Sequence, residues 1–255
     1  MIQKFLVFLS AMKAMILAAG LGTRLKPFTD HHPKALATVN GITLLEHTIR
    51  KLQAHGIYDI VVNVHHFANQ IIDTLRQNKG FGSNFIISDE SEQVLETGGG
   101  VLFAQKHLDD GNDFLVVNVD ILSNINLQKL IQFHQSQNGL ATLAVQKRNS
   151  SRQLVFQSQT PELLQLKAWI NNSTSETKPE NIDIQAFQAF AFSGIQVMRA
   201  AIFQHFDGLQ GKFSLIDLYL KICQQQTVYG WDHSGDWMLD VGKPESLAKA
   251  AQLLS

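Results

Sequence analysis

A short apolar run, Ala14–Ala19, ends abruptly in Gly20-Leu21-Gly22-Thr23-Arg24-Leu25. An apolar stretch of this kind, bounded by glycine, predicts a buried strand running into a glycine loop. Glycines let the backbone turn tightly and aim N–H groups at an anion. Ala18 and Ala19 are small enough to permit close approach. Arg24 adds a fork-shaped cation that suits phosphate oxygens, and Pro33-Lys34 supplies a compact second charge.

Two phosphate-binding patterns can be tested at this loop. A dinucleotide fingerprint needs a small third residue where Leu25 stands, and an acidic residue ending the next strand. That strand ends Asn63-Val64-His65-His66 instead. A Walker loop needs Gly-Lys followed by Ser or Thr, which the chain lacks. A plain strand-to-helix turn accounts for the glycines but not for the two cations beside them.

Downstream, helical spacing over Leu44–His55, Asn69–Gln77 and Leu127–Gln137 alternates with strand-like runs at Ile60–Val64, Phe85–Ser88, Phe114–Val119 and Ala141–Val145. The alternation predicts a parallel α/β sheet covered on both faces. Gly98-Gly99-Gly100 is expected to precede a helix reaching His107. After Gln146 the pattern changes. Arg152–Phe156 and Leu163–Trp169 read as a β-hairpin, and Asn171–Asn181 as a polar surface loop. Phe187–Met198 reads as a strand region, followed by helices at Ala200–Phe206, Leu215–Gln225 and Glu245–Leu254.

Composition bounds the function. A chain of 255 residues, 45% hydrophobic and 17% charged, can bury a sizeable core and is not a disordered chain. Its net charge of −1 lacks the basic footprint of a nucleic-acid binder. One cysteine, Cys223, excludes an intrachain disulfide and a cysteine-based zinc site, and fits the cytoplasm. The apolar run Phe5–Leu9 is too short to cross a bilayer. Lys4 and Ser10-Ala11 flank it as in a signal peptide, but a strand follows Met12 at once. Residues 1–11 are therefore read as an N-terminal extension and 12–255 as one domain, without membrane association.

Three further stretches carry candidate chemistry. Asn118-Val119-Asp120 ends a buried strand, where an open α/β sheet places its ligands. A carboxylate there, with phosphate oxygens, suits Mg²⁺; helix capping is the other use of such an aspartate. Trp237-Met-Leu-Asp240-Val-Gly242-Lys-Pro244-Glu245 offers a second carboxylate before the last helix, which Pro244 can start. Glu96-Thr97-Gly98-Gly99-Gly100 is the third, with Thr97 able to serve as an ordinary N-cap.

Leu17–Leu25 followed by Pro33-Lys34 resembles the signature of the sugar-phosphate nucleotidyltransferases, and the likeness runs from Met12 to the last helix. It implies a GT-A-like, Rossmann-type fold: a mixed, mainly parallel sheet flanked by helices, with a small β insertion and C-terminal helices. It implies an enzyme that joins a nucleoside triphosphate to a sugar 1-phosphate and releases pyrophosphate with Mg²⁺. On this likeness Lys34 and Arg24 are catalytic, and Asp120 and Asp240 hold the metal. Leu17, Ala18, Ala19, Gly20, Gly22, Thr23, Arg24, Glu96, Gly98 and Gly99 form the nucleotide site. The partners are these two substrates, with no nucleic acid, and the assembly is a monomer or small homo-oligomer.

The Glu96–Gly100 stretch and Phe192–Ile195 look most like the N-acetylmuramate 1-phosphate uridylyltransferases, and mannose 1-phosphate guanylyltransferases come next. UTP is therefore the expected triphosphate. A cytidylyltransferase for a non-sugar phosphate and a non-catalytic sensing domain are the alternatives. Many relatives hold the sugar phosphate with Arg-Phe-Gly and Glu-Lys-Pro. Here those places read Arg152-Gln153-Leu154 and Lys167-Ala168-Trp169-Ile170, which leaves the sugar open. His31-His32 and His65-His66 lack metal-ligand spacing and read as solvated or structural. Phe187, Phe190 and Phe192 read as a packed strand face.

Overall fold

The computed structural model describes residues 12–160, 163–180 and 182–254. Met1–Ala11, read above as an extension, lie outside the described residues. Among the described residues fourteen strands follow in chain order. They are β1 Lys13–Leu17, β2 Thr38–Val39, β3 Ile42–Thr43, β4 Asp59–Val64, β5 Asn84–Asp89, β6 Phe114–Asn118 and β7 Ile121–Ser123. The rest are β8 Ala141–Gln146, β9 Arg152–Thr160, β10 Leu163–Asn171, β11 Glu176–Lys178, β12 Gln188–Met198, β13 Val228–Asp232 and β14 Met238–Asp240.

One large sheet runs β11-β10-β13-β8-β12-β6-β1-β4-β5, with β9 pairing β10 and β12. The block β6-β1-β4-β5 is parallel throughout. Helix Leu44–Ala54 crosses from β1 to β4, and helix Ala68–Gln77 from β4 to β5. Such crossovers are how parallel neighbours must be joined. The other half is mostly antiparallel, because β9 and β10 form a hairpin and β12 returns against β6 and β8. The expected β insertion is β9 and β10, which β11 extends at the edge of this half.

Alternation along each strand feeds two cores. Ala14 and Ile16 of β1 face one, with Leu45 and Ile49 from helix Leu44–Ala54. Met15 faces the other, with Val101, Leu218 and Tyr219 from the helices Glu96–Phe103 and Leu215–Ile222. A sheet buried on both faces explains the unbroken apolar runs. Among the described residues no helix is long and apolar enough to cross a membrane.

Three local expectations are corrected. Gly98–Gly100 lie inside helix Glu96–Phe103 rather than before it, and a separate helix, Gln105–Leu108, carries the chain past His107. The polar stretch from Asn171 is not all loop: β11 pairs with β10, with Asn171 opposite Glu176. Thr97 does not cap its helix, since its Oγ1 accepts the Leu215 N–H at 3.0 Å.

Candidate active site

β1 delivers the glycine loop to the carboxyl edge of the sheet. Leu17 lies level with Asn63 of β4 on one side and Asn118 of β6 on the other. Chain order reverses about β1, which makes this the switch point where open α/β sheets bind ligands. Gly22 adopts a left-handed conformation, φ +62°. A Cβ there would meet Lys34 Cβ and Thr29 Cγ2, each at 2.9 Å. Thr29 Oγ1 donates to the Gly22 carbonyl at 3.0 Å. Glycine thus lets the Lys34 segment fold tightly onto the loop. Among the described residues no hydrogen bond ties up the N–H groups of Gly20, Leu21, Gly22 or Thr23. The Ala18 and Ala19 N–H groups are already held by Asn63 Oδ1, at 2.7 and 3.3 Å.

Asp120 and Asp240 are brought together by two strands of three residues each. β7 starts directly after Asp120 and pairs antiparallel with β14, setting Asp240 opposite Ile121. The Val241 N–H then donates to the Asp120 carbonyl at 2.9 Å. Each carboxylate faces one of the two cations. Lys34, only 9% exposed, donates its Nζ to Asp120 Oδ2. Arg24 Nη2 donates to Asp240 Oδ2 at 3.3 Å. A Cβ on Gly242 would stand 2.6 Å from that Arg24 nitrogen and 2.7 Å from Asp240 Oδ1. Arg148 adds a third positive charge within electrostatic reach of Asp240, and burial lowers its own pKa.

The residues fit a hard divalent cation. Asp240 Oδ1 is buried with no hydrogen-bond partner, and the backbone of the second aspartate, Asp120, is hydrogen-bonded to the residue after Asp240. Among the described residues no cluster of three His, Cys, Asp or Glu exists to enclose a metal. Two carboxylates, completed by phosphate oxygens and water, is the set that Mg²⁺ accepts and a structural zinc does not.

A cleft of about 990 Å³ opens from this corner. Leu17–Arg24, Lys34, Asn118, Asp120 and Gly242 line one end. Glu96 lines a side wall and pairs with Lys212 at 3.4 Å. Gly98 and Gly99 do not line it. Their N–H groups donate to the Phe213 carbonyl at 2.9 and 3.2 Å. Added Cβ atoms would strike the Phe213 ring at 2.4 Å and the Gly211 carbonyl at 2.2 Å. These glycines seat the helix on the 211–213 segment, and their N–H groups, placed in the nucleotide site by the family likeness, are already engaged.

The far wall comes from the antiparallel half. Arg152, Trp169, Asn171 and Lys178 line it, with Lys178 paired to Asp217 at 3.1 Å. Arg152 is at the cleft as its position suggests, whereas Lys167 is not among the lining residues. Phe192 also lines the cleft, while Phe190 packs edge-on against Phe156 in the core. The histidines stay out of it: His32 pairs with Gln70, and His65 with the Glu90 carbonyl.

Sequence reasoning misses Asn63, Glu90, Trp169 and Lys178. Asn63 and Glu90 are lone polar residues at strand ends, and Trp169 and Lys178 sit in stretches whose role depends on sheet pairing. The one available signal is a polar Asn63 inside the apolar run of a buried strand.

Fold and edge together define a Rossmann-type α/β protein with a glycine loop, two cations and two carboxylates at its switch point. The model of the nucleotidyl transferase family matches residues 13–255, and the chain belongs to that family, among the sugar-phosphate nucleotidyltransferases. It is 30% identical to an N-acetylmuramate alpha-1-phosphate uridylyltransferase of Caulobacter vibrioides, over 94% of this chain and 96% of that protein. It is 29% identical to mannose-1-phosphate guanyltransferase 2 of Candida glabrata, over 92% of this chain but 62% of that longer protein. Among solved structures, a UDP-glucose pyrophosphorylase from Acinetobacter baumanii superposes with a TM-score of 0.76 at 22% identity, covering 94% of this chain and 92% of the other.

Proposed function

We propose that this chain is a Mg²⁺-dependent sugar-phosphate nucleotidyltransferase that uses UTP. The observation that carries the reading is the corner where paired strand ends bring the Asp120 and Asp240 segments together, each aspartate faced by a cation, Lys34 or Arg24. In-line attack of a sugar 1-phosphate oxygen on the α-phosphorus needs positioning and charge neutralisation rather than a covalent nucleophile. The free N–H groups from Gly20 to Thr23 and the Arg24 guanidinium hold the phosphates that depart as pyrophosphate. Lys34, held in a nearly buried site, neutralises the α-phosphate as its charge redistributes. Asp120 and Asp240 hold Mg²⁺, which supplies further neutralisation of the phosphate oxygens when bound.

The sugar phosphate lies toward Arg152 and Trp169. Arg152 forms no ion pair among the described residues, so its charge is available to an anion. UTP as the triphosphate rests on likeness to the uridylyltransferases over Glu96–Gly100 and Phe192–Ile195. It is supported by the full-length match to the Caulobacter protein. The guanyltransferase matches keep GTP as the second reading. A screen of four nucleoside triphosphates against a panel of sugar 1-phosphates, read as pyrophosphate release, decides between them. UTP should exceed GTP by about tenfold or more in kcat/KM, equal to roughly 1.4 kcal/mol. A preference for GTP or CTP overturns the base assignment.

A further inference from the structure

Asn63 is 2% exposed, and the chemistry above leaves it without a task. Its Oδ1 accepts the N–H groups of both Ala18 and Ala19. On the other side its Nδ2 donates to Glu90 Oε1 at 2.9 Å. An asparagine amide can be turned over, exchanging acceptor for donor. Here both flanks oppose the exchange: two N–H groups require an oxygen, and a carboxyl oxygen requires the NH₂. Glu90 is itself 3% exposed, and its Oε2 is buried without a partner beside the cleft.

Gly100 completes the arrangement. A Cβ there would stand 2.8 Å from Glu90 Oε1 and 3.0 Å from Asn63 Nδ2. The third glycine of the run therefore has a different purpose from Gly98 and Gly99, which make room for the 211–213 segment. Gly100, Glu90 and Asn63 form a buried line that ends on the first two residues of the glycine loop. With the Ala18 and Ala19 N–H groups drawn back to Asn63, the N–H groups from Gly20 onward are left to face a ligand.

We propose that Asn63, with its amide oriented by Glu90, is a positioning residue that sets the shape of the phosphate loop without touching phosphate. The proposal rests on reading the cleft as a triphosphate site, so its test also includes a readout that needs no nucleotide. Asn63→Asp keeps an oxygen toward Ala18 and Ala19 but sets a carboxylate against Glu90. Adding Glu90→Gln restores one donor and one acceptor to that contact, with the donor now on residue 90. Calorimetry with UTP and steady-state kinetics give one readout, and amide hydrogen exchange at Ala18 and Ala19 the other.

Asn63→Asp should weaken UTP binding by about tenfold, the order of one buried hydrogen bond lost. The KM for sugar 1-phosphate should stay within about twofold, since that substrate lies on the far wall. Exchange at Ala18 and Ala19 should accelerate. The double variant should recover most of the affinity and the protection, and Glu90→Gln alone should change both little, because its amide oxygen can still accept from Asn63. A double variant no better than Asn63→Asp overturns the proposal, as does unchanged exchange in Asn63→Asp. If the wild type binds none of the four nucleoside triphosphates while exchange still follows the predicted order, the triphosphate reading falls and the positioning role stands.

Discussion

Lys34 and Arg24 carry similar charge but are set up for different work. Lys34 is nearly buried against Asp120, while Arg24 is largely exposed and reaches Asp240. A buried cation beside the reacting phosphate gains most from charge that develops during transfer. Lys34→Ala should therefore lower kcat by about two orders of magnitude with a smaller change in KM for the triphosphate. Arg24→Ala should impair both. A Lys34→Ala enzyme with altered KM alone contradicts the assignment. Gly242 belongs at the same scale, because any Cβ there intrudes between Arg24 and Asp240. The guanidinium is flexible enough to move aside, so Gly242→Ala should fold normally and lose about tenfold or more in kcat/KM. Wild-type kinetics in that variant would show that the Arg24–Asp240 contact has no part in turnover.

Elements differ in how well the sequence announces them. The strand before the glycine loop and helix Leu44–Ala54 are legible because an apolar run or a helical stripe is long enough to show its period. β7 and β14, three residues each, carry no period at all, yet their pairing sets Asp240 beside Asp120. Asp120 is legible from its place at the end of a buried strand, whereas Asp240 is legible as its partner only through the family likeness of the motif around it. β13 escapes the sequence reading as well, since Val228–Asp232 is short and its place between β8 and β10 is set only by the folded sheet. The glycine run misleads for a related reason. Glycine usually interrupts helices, but tertiary packing overrides propensity when a close neighbour requires it. Helix Glu96–Phe103 needs Gly98 to clear the Phe213 ring. Gly98→Ala should then destabilise the chain by about 1–3 kcal/mol through overpacking, read as a lower urea midpoint. An unchanged midpoint would mean that the contact yields without cost.

At the scale of the whole molecule, stability should depend on pH through His134. Its ring is fully buried, pairs with Thr142 Oγ1 at 2.8 Å, and leaves Nε2 without a hydrogen bond. Burial lowers its pKa from 6.5 to about 3. The unfolded chain therefore binds a proton below pH 6.5 that the folded chain refuses until about pH 3. The contribution of this histidine is intact above the unfolded value and is lost as pH falls across that window. Glu90 and Asp113, whose carboxyls burial pushes up, act in the opposite sense, so total stability alone does not isolate the effect. The difference between wild type and His134→Gln does. The melting temperature of the wild type should fall more than that of the variant between pH 7 and pH 5. Parallel declines would contradict a neutral buried imidazole.

The central claim is that the corner formed by Asp120 and Asp240 transfers a nucleotidyl group to a sugar phosphate. Phosphorus NMR of a mixture of UTP, the best sugar 1-phosphate from the screen, Mg²⁺ and enzyme tests it most directly, because substrates and both products are seen in one spectrum. The wild type should form pyrophosphate and a UDP-sugar in equal amounts. Asp120→Asn and Asp240→Asn, with circular dichroism unchanged, should each slow that reaction by orders of magnitude. Equal rates in either variant, or pyrophosphate without the UDP-sugar, would contradict the account.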